Sequence, residues 1–144
     1  MIGGHLIKAW STTQTVVALS SAEAELTGLV KGAAQAMGLR SCAKDLGMSW
    51  EICLHSDASA AIGICKRKGL GKVRHLATAD LWIQDKLKEK DFRLEKILGT
   101  ENPADLLTKY LDAPAQNQHI SRLRLVEESG RAALAPSLPK GDGG

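Results

Sequence analysis

Aromatic side chains are scarce in this 144-residue chain: one Phe, one Tyr and three Trp, 3% in all. A core must therefore be assembled from Leu, Ile, Val and Ala. Cysteine is equally thin. Cys42, Cys53 and Cys65 are an odd number with no C-x-x-C pair, which speaks against a disulfide framework or a zinc site and fits a reducing compartment. No apolar run reaches the roughly 20 residues of a membrane span, and no signal-peptide pattern opens the chain. The expectation is an intracellular protein, cytoplasmic or nuclear, or a piece of one, with no membrane partner. Neither sign of charge dominates: 19 Lys and Arg against 16 Asp and Glu leave +3 and a pI near 8.8. That permits a polyanionic partner without requiring one. What is present, 44% hydrophobic and 24% charged residues, is the composition of one globular domain.

The N-terminal "MIGGHLIKAWSTTQTVVALS" reads as extended. Gly3-Gly4 suits a two-residue hairpin turn, because both positions of such a turn need positive φ. Strands are expected over Leu6–Trp10 and Thr15–Leu19. A helix follows from about Ser21 to Leu39, opened by the capping box Ser20-x-x-Glu23. Ala22, Leu26, Leu29, Val30, Ala33 and Met37 recur at helical spacing and form its buried stripe. Gly28 and Gly32 weaken that helix, which suggests that something packs closely against it. "EICLHSD", Glu51 to Asp57, reads as a strand, and "ASAAIGICKRKG" as a short helix. "LATADLWIQDKLKEK" is an amphipathic helix, with Leu76, Leu81, Ile83 and Leu87 apolar. "FRLEKIL" alternates as a strand does, and "NPADLLTKYL" is a helix with Asn102 as N-cap and Pro103 at N1. Trp10, Trp50 and Trp82 read as core or core-edge groups. The unit runs to residue 112. Residues 113–144 are a tail with one weak helix near Gln116–Glu128 and a Pro- and Gly-rich, disordered end. The element order is α/β.

"VALSSAEAEL" puts Glu23 and Glu25 in the first turns of a helix, where residues two apart do not share a face. Glu23 is occupied by the capping box. Glu25 lies on the flank that continues through Leu29, Gly32 and Ala36, and either a solvated first-turn carboxylate or a ligand is open for it. Asp57 ends a strand just before a helix and is either an N-cap or a ligand. Asp105 at N3 of "NPADLL" either complements the helix dipole or joins the other two. Clustered carboxylates repel one another unless a cation neutralises them, and hard oxygen donors select Mg²⁺ or Mn²⁺.

The residues "TVVALSSAEAELTGLVKGA", "LHSDASAAIGI" and "NPADLLTKYL" resemble, in order, the blocks of the ribonuclease H domain of copia-type retrotransposon polyproteins. The likeness covers roughly residues 3–111. It implies a ribonuclease H-like fold and two-metal hydrolysis of the RNA strand of an RNA–DNA hybrid, with Mg²⁺ or Mn²⁺ as cofactor. Carried over block by block, it implies Glu25, Asp57 and Asp105 as catalytic metal ligands.

That family also carries a first catalytic Asp in a D-x-D-W-A-G type block on its first strand. Nothing in this sequence matches that block. The expectation is an N-terminally truncated α/β domain lacking the first strand and most of the second, inactive or impaired as this chain. A partner for it would be the missing upstream polyprotein segment. The alternative is a non-catalytic remnant that binds nucleic acid through the basic loop. Lys66, Arg67, Lys68, Lys72, Arg74 and His75 are the candidate contacts to the hybrid, read by shape and phosphate. A solvated turn bent at Gly69 and Gly71 is the other use of that loop. His75 falls in the family's K-H-I-D type segment, here "VRHLATAD", as either a proton-transfer group or a helix-start polar residue.

Overall fold

The computed structural model describes residues 1–12, 14, 18, 20–68 and 78–126, the side chains of 79, 80 and 107 excepted. Helix α1, Ser21–Asp45, begins where Ser20 turns to extended backbone and its Oγ accepts from the Glu23 N–H at 3.3 Å. Leu26, Leu29 and Ala33 are its buried stripe, with Ala22, Val30, Ala36 and Met37 packed at the margin, as the helical spacing predicts. The helix runs past the expected end at Leu39. Gly38 costs a helix only about 1 kcal/mol, and Arg40 is anchored across the molecule. Its guanidinium donates to the Asp91 carbonyl at 2.6 Å and carboxylate at 2.9 Å. Gly47, at φ 77°, ends the run, while the Met48 N–H bonds back to the Ala43 carbonyl at 2.9 Å.

Strand β1, Cys53–Ser56, pairs in parallel with β2, Arg93–Lys96, in the register Cys53 opposite Arg93 through Ser56 opposite Lys96. Parallel neighbours need a crossover, and α2 (Ser59–Lys66) with α3 (Thr78–Lys88) supplies it. Helices α1, α2 and α3 pack on one another, α1 also against β1 and α2 against β2. The core is aliphatic apart from one ring: Leu26, Leu29, Ile52, Ile62, Ile64, Ile83, Leu94 and Phe92. The described part is a mixed α/β arrangement on a two-stranded sheet. No helix among the described residues is long and apolar enough to cross a membrane.

Several expectations are corrected. Gly3 and Gly4 do turn at positive φ, and Ile2 and His5 exchange two backbone bonds of 2.9 Å. Leu6–Trp10 is not a strand, because it has no ladder partner among the described residues. The expected strand Thr15–Leu19 lies mostly outside them. Among the described residues, a Cβ at Gly28 or Gly32 would meet nothing within 4 Å, so no described neighbour packs closely against these glycines. Trp82 packs on the core, but Trp10 is 42% exposed with the Lys8 ammonium 5.4 Å from its ring.

"NPADLLTKYL" forms a 3₁₀ turn, Pro103–Leu107, rather than an α-helix, although Asn102 caps it by accepting from the Ala104 N–H at 3.2 Å. A shorter 3₁₀ turn, Gly99–Glu101, precedes it. The last helix among the described residues, α4, spans Ala113–Arg122 and starts and ends before the expected Gln116–Glu128, whose final two residues lie outside the described ones. Asp112 starts it by accepting from the Ala115 N–H at 3.0 Å, and Arg124 at φ 52° lies just beyond its end.

Candidate functional site

Asp57 directly follows β1, and its expected local use is absent. The N-cap of α2 is Ala58, with no side-chain cap bond, and the Ala58 N–H bonds to Ser56 Oγ at 3.2 Å instead. The Asp57 carboxylate is thus left to other groups. Asn102 Nδ2 donates to its Oδ1 at 3.4 Å, so one amide both caps the 3₁₀ turn and ties that turn to the end of β1.

The same turn carries Asp105, a carboxylate buried to 8% exposure. Lys109, one turn on, donates from Nζ to Asp105 Oδ2 at 2.9 Å and stands 4.0 Å from Asp57 Oδ2. The hydrogen bond to Asp105 pushes the ammonium's pKa up, against the opposing effect of burial. The charges of Asp105, Asp57 and Glu25 add to the rise. Glu25, exposed in the first turns of α1, is the most weakly felt of the three. Two of the three carboxylates picked out in the sequence, Asp105 and Asp57, therefore face one cation, and Glu25 reaches it only as a weaker charge. Each comes from a different element, and Lys109 takes the place of the neutralising charge that clustered carboxylates require.

Behind this turn lies α4. Arg122 holds it by donating to the Glu101 carbonyl at 2.8 Å and carboxylate at 2.9 Å. His119, on α4, is 2% exposed, and its Nδ1 has no hydrogen-bond partner among the described residues.

No protein-family model matches this chain, and no solved structure matches it. Among curated proteins, the "Retrovirus-related Pol polyprotein from transposon TNT 1-94" of Nicotiana tabacum is 30% identical over 108 residues, 74% of this chain. The chain is similar to a stretch of a retrotransposon Pol polyprotein. It spans 8% of that relative's length. The likeness supports a retrotransposon Pol-derived chain.

Of the basic candidates, Lys66, Arg67 and Lys68 are described, whereas Lys72, Arg74 and His75 lie outside the described residues. The three line a cleft of about 380 Å³ with Cys65, Gln84, Asp85, Leu87 and Lys88. Gln84 Nε2 donates to the Ile64 carbonyl at 3.0 Å and holds α3 against α2. The Nε and Nη2 of Arg67 are shielded from solvent and have no hydrogen-bond partner among the described residues.

Sequence reasoning missed Lys109 and Lys88, and it named Asn102 as a cap without its bond to Asp57. For Lys109 a signal existed: it stands four residues after Asp105, the spacing at which opposite charges meet on a helical turn. For Lys88 none did, since only the packing of α3 on α2 brings it to the cleft.

Proposed function

We propose that this chain is the ribonuclease H segment of a retrotransposon Pol polyprotein, with a ribonuclease H-like fold and the RNA strand of an RNA–DNA hybrid as substrate. The observation that carries the proposal is the convergence of Asp57 and Asp105 on Lys109, with the charge of Glu25 felt at the same ammonium. The donor set is all hard oxygen, which fits Mg²⁺ or Mn²⁺. Glu25, Asp57 and Asp105 would hold the ion, and its chemistry there is to activate water and stabilise a leaving oxygen in phosphodiester hydrolysis. Asn102 fixes the Asp57 carboxylate toward the Asp105 turn, and Lys109 compensates the charge until an ion enters.

These 144 residues supply three of the four carboxylates that the family resemblance implies. Cleavage by this chain alone is accordingly weak. The test is an RNA–DNA hybrid cleavage assay with Mg²⁺ or Mn²⁺. The 144-residue chain should cleave barely or not at all, supplying an upstream segment with the D-x-D-W-A-G type block should recover cleavage, and Asp57→Asn should abolish the recovered signal. Robust cleavage by the chain alone, lost in Glu25→Gln, would show that three carboxylates suffice. No cleavage even with the upstream segment would remove the catalytic reading.

A second reading, a non-catalytic nucleic-acid-binding remnant, is favoured by the cleft. Unpaired guanidinium N–H groups beside Lys66, Lys68 and Lys88 suit a phosphate, which accepts from two Arg nitrogens at once. Hybrid binding that weakens steeply with salt and survives Asp57→Asn but not Arg67→Ala would support it.

A further inference from the structure

Away from the carboxylates, the sheet presents a different set of donors. Side chains alternate along a strand. In β1, Ser56 is buried while His55 is exposed and Cys53 half-buried, and in β2 Leu94 is buried while Glu95 is exposed. His55 and Glu95 are direct partners in the parallel register, and Cys53 sits two residues before His55 on the same face. One donor atom from each of Cys53, His55 and Glu95 lies within 4.8 Å of the other two. Burial and the neighbouring Glu95 carboxylate push the Cys53 thiol's pKa up. Arg93, on the same face, is engaged with Glu51 at 3.4 Å.

We infer that Cys53, His55 and Glu95 form a binding site for a borderline-soft divalent ion, with zinc the ion that a thiolate, an imidazole and a carboxylate together select. Zinc–ligand bonds of about 2.0–2.3 Å place tetrahedral donors roughly 3.5 Å apart. Rotation of the exposed His55 and Glu95 side chains closes the remaining gap. Binding displaces the Cys53 thiol proton to solvent, so the site gains affinity as pH rises. Three protein ligands leave the fourth position to water, on the open side of the sheet. The site has no C-x-x-C pair and so escapes the spacing rules by which zinc sites are read from sequence. It shares no ligand with Glu25, Asp57 and Asp105, and it stands or falls independently of the ribonuclease reading.

Co²⁺ titration of the 144-residue chain, followed by visible and near-ultraviolet absorption, tests the site. One equivalent of Co²⁺ should give the absorption of a tetrahedral ion together with a thiolate-to-cobalt charge-transfer band, and Zn²⁺ should displace it. Cys53→Ser should remove the charge-transfer band, and His55→Ala and Glu95→Gln should each weaken binding roughly tenfold or more. Because both of these side chains are exposed, those variants keep the fold, as circular dichroism will verify. Cys42→Ser should change nothing. A charge-transfer band that survives Cys53→Ser, absence of any such band in the unaltered chain, or equal affinity in His55→Ala and Glu95→Gln would overturn the assignment.

Discussion

Lys109 and Asp105 form an ion pair of 2.9 Å four residues apart, and the same ammonium reaches to 4.0 Å from Asp57. The pair joins the 3₁₀ turn after β2 to the end of β1, where Asp57 would otherwise carry its charge beside that of Asp105. The Lys109 side chain is 56% exposed and that of Asp105 11%. The anion is therefore fixed in the fold, and the cation is the partner free to leave. Such a pair keeps a carboxylate cluster compact without committing it to a protein cation permanently.

Gly28 and Gly32 lie within α1 at negative φ, with no described residue where a Cβ would stand. Alanine loses less backbone entropy in a helix. Gly28→Ala and Gly32→Ala should each stabilise the chain by about 0.5–1 kcal/mol, measured by urea unfolding followed by circular dichroism. Destabilisation by either would mean that the face meets a neighbour.

His119 is buried with an unpartnered Nδ1, and an unsatisfied buried polar atom costs about 1–3 kcal/mol. His119→Leu, of similar bulk, should leave the melting temperature unchanged or raise it. His119→Ala should lower it by leaving a cavity where the buried ring stood. A large loss in His119→Leu would indicate that the imidazole nitrogen serves a partner.

The parts of the fold legible in the sequence were those set by local chemistry. Ser20 and Asn102 cap their elements, Gly3-Gly4 turns, and Leu26, Leu29 and Ala33 form a buried stripe, because each depends on residues within one or two turns. What failed was tertiary. Gly28 and Gly32 could be read as a packing surface or as a tolerated weakness, and only the neighbours decide between these. Leu6–Trp10 has strand composition, but a strand exists only with a partner. Asp57 looked like a helix cap, yet Ala58 holds that position. At the candidate site the carboxylates were named from blocks of sequence, while the cation among them came from the fold. The Cys53, His55 and Glu95 set had no one-dimensional signal, since the register of β1 on β2 brings Glu95 beside His55.

Asp91 gathers two cations, Arg40 at 2.9 Å and Lys86 at 3.1 Å. The hydrogen bond from Arg40, then that from Lys86, holds its carboxyl below the usual carboxylate range, against a smaller opposing effect of burial. A lowered folded-state pKa contributes stability at pH above the unfolded value, about 3.9. That contribution is lost as pH falls through the folded value. Asp91→Asn should therefore melt below the unaltered chain at neutral pH, with the gap narrowing below about pH 4. A gap independent of pH would show that Asp91 acts through packing rather than charge.

If Glu25, Asp57 and Asp105 share a hard divalent cation for which Lys109 stands in, as proposed above, removing the Lys109 charge should strengthen its binding. Mn²⁺ binding to the 144-residue chain, read by the loss of the free-ion electron paramagnetic resonance signal, tests it directly in four proteins: the unaltered chain, Asp57→Asn, Asp105→Asn and Lys109→Met. Lys109→Met should bind Mn²⁺ more tightly, by roughly threefold to tenfold for one partly screened charge near the site. The two Asn variants should bind more weakly than the unaltered chain. Equal Mn²⁺ affinity in all four proteins, or weaker binding in Lys109→Met, would contradict it.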